Sequence, residues 1–319
     1  MKVSENVHTI FNFNLPFAIP VPDGLYEIFL GGKRADMVIK RVQRRDVAGF
    51  SGSGFAQIQF DKYGQSSFSQ ISMKFNWKLD LDEMGRTPLL LGTSVPPRMR
   101  AKETVIRFLN RFIEVVRYTT QEFWVEHARY QDILSYGVTY WDGKQSIPAR
   151  MTLLDTGVGG IKVSTANPFQ VEHDKLDSLT DILAHELLLD SDSMLLLNSK
   201  DACLQEDFRL AIIEAVAALE VVLYNFIRVQ GRAIGLSKAE LEDFIVKVGL
   251  TGNITTVMKM LTKGLEQIDD NTLRECKGAI TIRNDILHRG LMDVASTDTE
   301  KRILAINLMV GYLRKIGSP

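Results

Sequence analysis

Apolar and polar residues alternate over 71–79: Ile71, Met73, Phe75, Trp77 and Leu79 against Ser72, Lys74, Asn76 and Lys78. A period of two marks a strand with one buried face. Weaker stretches of the same kind cover 7–13, 25–30, 37–42 and 55–60, punctuated by glycine and proline such as Pro20, Pro22, Gly31, Gly32 and Gly52. Residues 1 to about 98 therefore read as β-rich. Beyond Pro96-Pro97 the period changes to that of a helix over about 101–118, with Val105, Phe108, Leu109, Phe112, Val115 and Val116 on one stripe and Arg107, Arg111 and Glu114 off it. Aromatic, strand-like pieces follow through Tyr136, Tyr140 and Trp141, with a turn at Asp142-Gly143. A hairpin is expected from Met151–Leu154 through the Gly157–Gly160 loop to Ile161–Val163; a strand rather than a helix follows these glycines, so a phosphate-cradling loop is disfavoured.

From about Leu176 the pattern is helical throughout. Leu176, Leu179, Ile182, Leu183 and Leu187 predict one helix, and Ser191-Asp192-Ser193 is placed to cap a leucine-rich second one. The longest helix is expected over about 207–229; its run from Ala211 to Leu223 is apolar on most sides, as a central bundle helix requires. Within it Glu214 is read as a surface edge, and Glu220 as facing a site where it orients Arg283 or His288. Ser237 with Glu240 forms a capping-box pattern, Gly249 to Asn253 breaks the chain, and a helix follows over about 254–266. Asp269-Asp270-Asn271 starts the next helix, Gly290 stops it, and a last amphipathic helix is opened by Thr297 with Glu300 and runs to about Ile316. The fold class is α+β: a β-rich domain over 1–172, with a helix near 101–118, and an all-α bundle over 173–319.

Composition narrows the setting. The chain has 319 residues and a formal net charge of −1, so bulk electrostatic capture of nucleic acid is not expected. Residues 200–319 hold sixteen Lys plus Arg and sixteen Asp plus Glu, so any RNA would be held by a small focused site. The basic cluster Lys33, Arg34, Lys40, Arg41, Arg44 and Arg45 reads as a solvated face before it reads as a phosphate contact. Cys203 and Cys276 are isolated, without disulfide or zinc spacing, and His185-Glu186 lacks the second histidine of a zinc-protease helix. His8, His127 and His173 have no partner spacing. No metal or cofactor is called for. No apolar run approaches the length needed to cross a bilayer, and a cytoplasmic, reducing location is expected.

The chemistry centres on Arg283-Asn284-Asp285-Ile286-Leu287-His288-Arg289-Gly290, at the end of a core helix. An arginine offers a fixed cation and a histidine a group that titrates near neutral pH. Together they can cleave an RNA phosphodiester without a metal: the imidazole moves the 2′-hydroxyl proton or protonates the leaving 5′-oxygen, and the guanidinium holds the phosphorane oxygens. Positions five apart differ by about 140° on a helix, so the last turn unwinds or the site is shared by two copies across a two-fold axis. Asp285 and the helix C-terminus favour the imidazolium of His288; Arg289 opposes them.

These residues, with Asp207–Ala215 and Ala218-Leu219-Glu220 upstream, resemble the HEPN domain (higher eukaryote and prokaryote nucleotide-binding) over roughly the last 120 residues. The resemblance implies a four-to-five-helix bundle, usually dimeric, whose Arg-x(4–6)-His motif forms a metal-independent endoribonuclease site at the dimer cleft. Arg283, Asn284 and His288 match that motif at its shortest spacing. The implied products carry a 2′,3′-cyclic phosphate and a 5′-hydroxyl, and the implied settings are toxin–antitoxin systems or antiviral defence, with the amino-terminal domain as sensor for an unknown trigger ligand or protein. The competing readings are a non-catalytic dimerisation or ligand-binding module, and a plain helix end with Arg283 solvated and His288 as a cap.

Overall fold

The structure, a computed structural model, describes residues 8–15, 17–43, 67–77, 100–122, 125–129, 132–133, 136–141, 146–152, 173–263 and 268–317. The strand expected over 55–60, the Asp142-Gly143 turn, and the loop and second arm of the 151–163 hairpin lie outside them. The chain divides into two compact units, Met1–Leu188 and Leu189–Pro319. Fold class is α+β: an antiparallel sheet unit followed by a helical one.

In the first unit the strands are β1 (His8–Asn14), β2 (Gly24–Leu30), β3 (Lys33–Gln43), β4 (Ser67–Phe75), β5 (Tyr136–Trp141) and β6 (Ser146–Thr152). They form one antiparallel sheet in the order β2-β3-β4-β1-β5-β6. Register sets the core: Tyr26, Met37, Met73 and Phe11 are paired in one row across four strands, and Ile28, Ala35, Phe75 and Thr9 in the next. All eight are buried, while Gln70, Lys40 and Asn12 point away. The alternation over 71–75 thus marks a true face, but the strand begins at Ser67 and ends at Phe75. Trp77 lies past its end, with its ring 5.0 Å from Phe75 and 5.9 Å from Phe108. Helix α1 (Arg100–Thr120) covers the buried face through Phe108, Leu109 and Phe112, and the Phe112 ring meets Tyr26 edge-on at 5.0 Å.

Helix α2 (His173–Ala184) packs on α1 and β2, so the boundary between units falls after Leu188 and not at residue 172. An apolar stripe states that a helix is covered, not what covers it.

The second unit comprises α3 (Ser191–Leu204), α4 (Phe208–Ala233), α5 (Lys238–Gly252), a π-helical turn (Asn253–Val257), α6 (Met258–Leu261), α7 (Asp270–Arg289) and α8 (Ser296–Gly317). Helix α4 is central and packs against α3, α5, α7 and α8 with Ala211, Ile212, Ala215, Leu219, Leu223 and Ile227 buried. Its N-cap is Asp207, which accepts from the Leu210 amide at 3.1 Å. The Ser237/Glu240 capping box opens α5 with both reciprocal hydrogen bonds in place. Other ends differ from expectation. Asp190 stands at the N-cap of α3 with no side-chain capping bond, and Asp192 inside it pairs with Arg314 of α8. The break expected from Gly249 is a single residue at φ 68° within α5, and the π-helical turn carries the chain on to α6. Helix α8 starts at Ser296, one residue before Thr297.

Among the described residues two helices could cross a membrane by length and composition, contrary to the reading of the sequence: Phe208–Ala233 and Lys238–Leu261, with mean hydropathy 2.0 and 1.2 over their most apolar 18 residues. For α4 the apolar composition is accounted for by its place at the centre of the bundle, since 56% of that stretch is buried.

Candidate functional site

Helix α7 positions the site. Asp269 caps its start by accepting from the Thr272 amide at 2.8 Å, and Gly290 ends it in the left-handed conformation at φ 68°. The helix stays regular through Arg289, so the last turn does not unwind to bring Arg283 and His288 onto one face. At 100° per residue, Arg283 lies within about 60° of Cys276, Ala279, Ile280 and Ile286, the buried stripe of α7. His288 is about 140° away on the exposed side.

Arg283 meets Glu220 of α4. Its Nη2 is 3.7 Å from Glu220 Oε2, with 29% and 32% of the two side chains exposed. Its Nη1 also donates to Asn284 Oδ1 at 3.2 Å. Tyr224, one turn after Glu220, belongs to the same group. Burial, the charge of Glu220 and a hydrogen bond to it push the phenol up to about 12, against the opposing charge of Arg283. Behind them sits Asn253 of the π-helical turn, fully buried, with its Nδ2 donating to the Ile245 carbonyl at 3.0 Å. The candidate residues Arg283, Asn284 and Glu220 are therefore brought together around one guanidinium.

His288 stands apart from this cluster within one chain. It is exposed, and no hydrogen bond or ion pair reaches it among the described residues. Asp285, expected to support the imidazolium, instead pairs with Arg289 at 3.1 Å. Glu214 is not a surface edge: its Oε2 is buried without a hydrogen-bond partner among the described residues, and burial raises the carboxyl pKa against a hydrogen bond from Asn198.

Four side chains nevertheless share one arc. Going round α7 from Arg283, Leu287 comes at about 40°, Asn284 at about 100° and His288 at about 140°. Arg283 and Asn284 are half-buried, and Leu287 and His288 exposed. Leu287 lies toward the core side of the helix yet is 50% exposed, so the bundle leaves this end of α7 open. Among the described residues, no group of three or more His, Cys, Asp or Glu side chains gathers to hold a metal.

The sequence reading missed Tyr224 and Asn253. Tyr224 was open to inference from its i+4 spacing after Glu220; Asn253 carried no local signal, since the π-helical turn that delivers it has none. Comparison of this chain with protein-family models, curated proteins and solved structures finds no match.

Proposed function

We propose that the protein is a metal-independent endoribonuclease of the HEPN type, acting as a homodimer in the cytoplasm. The observation that carries this reading is the open arc on the last two turns of α7, where a guanidinium fixed by Glu220, an amide and a free imidazole lie in sequence. In the proposed reaction the 2′-oxygen of RNA attacks the adjacent phosphorus, and the bond to the 5′-oxygen breaks. His288 takes the 2′-hydroxyl proton, and His288 of a second copy protonates the leaving oxygen. Arg283 neutralises charge on the non-bridging oxygens, Asn284 positions the phosphate, and Glu220 orients Arg283. The 140° between Arg283 and His288 is what calls for two copies: a two-fold axis can bring the histidine of one α7 toward the arginine of the other.

The test is digestion of total RNA by purified protein in EDTA, with end-group analysis. Wild type is expected to release 2′,3′-cyclic phosphate and 5′-hydroxyl ends, and His288→Ala to leave RNA intact. Intact RNA with wild type as well overturns the reading. It favours a second one, a non-catalytic dimerisation or ligand-binding module. That alternative draws on the pairing of Arg283 with Glu220, which satisfies the cation inside a single chain. A defence or toxin setting, with the sheet unit as sensor, remains part of the same proposal.

A further inference from the structure

The first unit contains a cavity of about 260 Å³ between the β2–β3 turn and α1, lined by Gly31, Lys33, Trp77, Thr104, Arg107 and Phe108. Trp77 and Phe108 give it an aromatic wall, 5.9 Å apart by ring centroid, and both rest on the buried Phe75 at 5.0 and 5.5 Å. Its charged groups, Lys33 and Arg107, are both cationic, and no lining residue is acidic. Lys33 rests over the Trp77 ring at 5.3 Å from the centroid. Arg107 is exposed, with no hydrogen bond or ion pair among the described residues. Of the other described cations of the amino-terminal basic run, Arg34 binds Glu27 and Asp36 and Arg41 reaches the Ile19 carbonyl, while Lys40 lies exposed and does not line the cavity.

A second feature of this rim is a carboxylate held on two backbone amides. Gly31 and Gly32 both have positive φ, 61° and 69°, and turn their amides outward. Glu186 fills that position from the chain just past α2: its Oε1 accepts from Gly31 at 2.5 Å and its Oε2 from Gly32 at 3.3 Å. Glu186 has a left-handed backbone, φ 51°, where the end of α2 is closed by the Leu187 amide donating to the Ile182 carbonyl at 3.2 Å. The two amides, with Arg111 nearby, hold the carboxyl below its usual range. The rim thus already stabilises one carboxylate, contributed by the chain itself.

We propose that this cavity binds a small phosphate-bearing ligand with a planar ring, a nucleoside monophosphate by class, with Lys33 and Arg107 on the phosphate and Trp77 against the ring. An exposed cation–π contact is weak, so Lys33 leaves the indole for a phosphate, and the uncovered face receives the base. Glu186, bound at the shared Gly31, is a like charge at the mouth and opposes entry. The site draws on no residue of the helical unit, so it stands or falls independently of the nuclease reading.

The experiment is calorimetric titration of the full-length chain with AMP, GMP, CMP and UMP, alongside ribose 5-phosphate and inorganic phosphate. At least one nucleotide is expected to bind saturably. Lys33→Gln and Arg107→Gln, both at exposed positions, should each weaken it about tenfold. Glu186→Gln should tighten it by about threefold, by removing the competing charge. Absence of saturable binding by every nucleotide, or equal affinity in the Lys33→Gln/Arg107→Gln double variant, overturns the proposal. Equal binding of ribose 5-phosphate overturns the role of Trp77 as a ring platform.

Discussion

Glu220 Oε2 on the central helix and Arg283 Nη2 on α7 stand 3.7 Å apart, each side chain about one-third exposed. That distance is an ion pair without a direct hydrogen bond, and the guanidinium spends its Nη1 on Asn284. A pair at this depth is worth more than a surface contact and less than a dry one. A double-mutant cycle with Glu220→Gln and Arg283→Met should give a coupling of about 0.5–1.5 kcal/mol in urea denaturation. Coupling indistinguishable from zero would mean that Glu220 does not fix Arg283, and the orienting role would fall with it.

His288 should separate activity from stability. The side chain is exposed and without partners among the described residues, so His288→Ala should change unfolding free energy by no more than about 0.5 kcal/mol. RNA cutting should disappear all the same. Arg283→Ala should impair both, because it strips Glu220 of its cation inside the bundle. A His288→Ala protein that unfolds as readily as Arg283→Ala would point to a structural histidine.

Much of the fold around the candidate residues could be read in the letters of the chain, and the reason is locality. Gly290 after an apolar-periodic run, Asp269 before one, and Ser237 three residues ahead of Glu240 are helix ends fixed by the backbone within a few residues. The rows of the sheet core follow likewise from period two in β4. What stayed hidden depends on contacts between distant segments. The stripe on α2 fits a bundle as well as a sheet, and nothing in it names α1 and β2 as its cover. Lys33, Trp77 and Arg107 come from three separate segments of the chain, so their cavity has no sequence signature.

Gly290 ties the motif to the helix end. At φ 68° any residue with a Cβ is strained, so Gly290→Ala should cost about 1 kcal/mol. Gly290→Asn should lose less, since asparagine tolerates the left-handed region. Chemical denaturation of the full chain reads both. Equal stabilities of the glycine and alanine forms would show that α7 can end in another geometry, and the placing of His288 on its last turn would no longer be fixed.

Lys102 gives the sheet unit a pH dependence whose sign can be worked out. It is 6% exposed on α1, and burial lowers its ammonium from 10.5 to about 8, with Asp132 opposing. Below that value the folded and unfolded chains both carry the proton, and folding bears the cost of burying the charge less what Asp132 returns. Between about 8 and 10.5 the unfolded chain binds more protons than the folded one, so stability rises with pH across that window. The buried Tyr26 acts the other way from its ordinary 10 upward: its phenol is pushed up to about 12, so the unfolded chain ionises first and stability is lost as pH climbs from one value toward the other. The net gain from Lys102 is therefore confined to roughly pH 8–10. Lys102→Met should stabilise the unit at neutral pH by about 1–3 kcal/mol and remove the rise above 8. Denaturation of both proteins at neutral pH and near pH 9.5 decides it: if the wild type rises no more steeply than the variant, the methionine form has lost no titrating charge, and the ammonium must be solvated through the native ensemble.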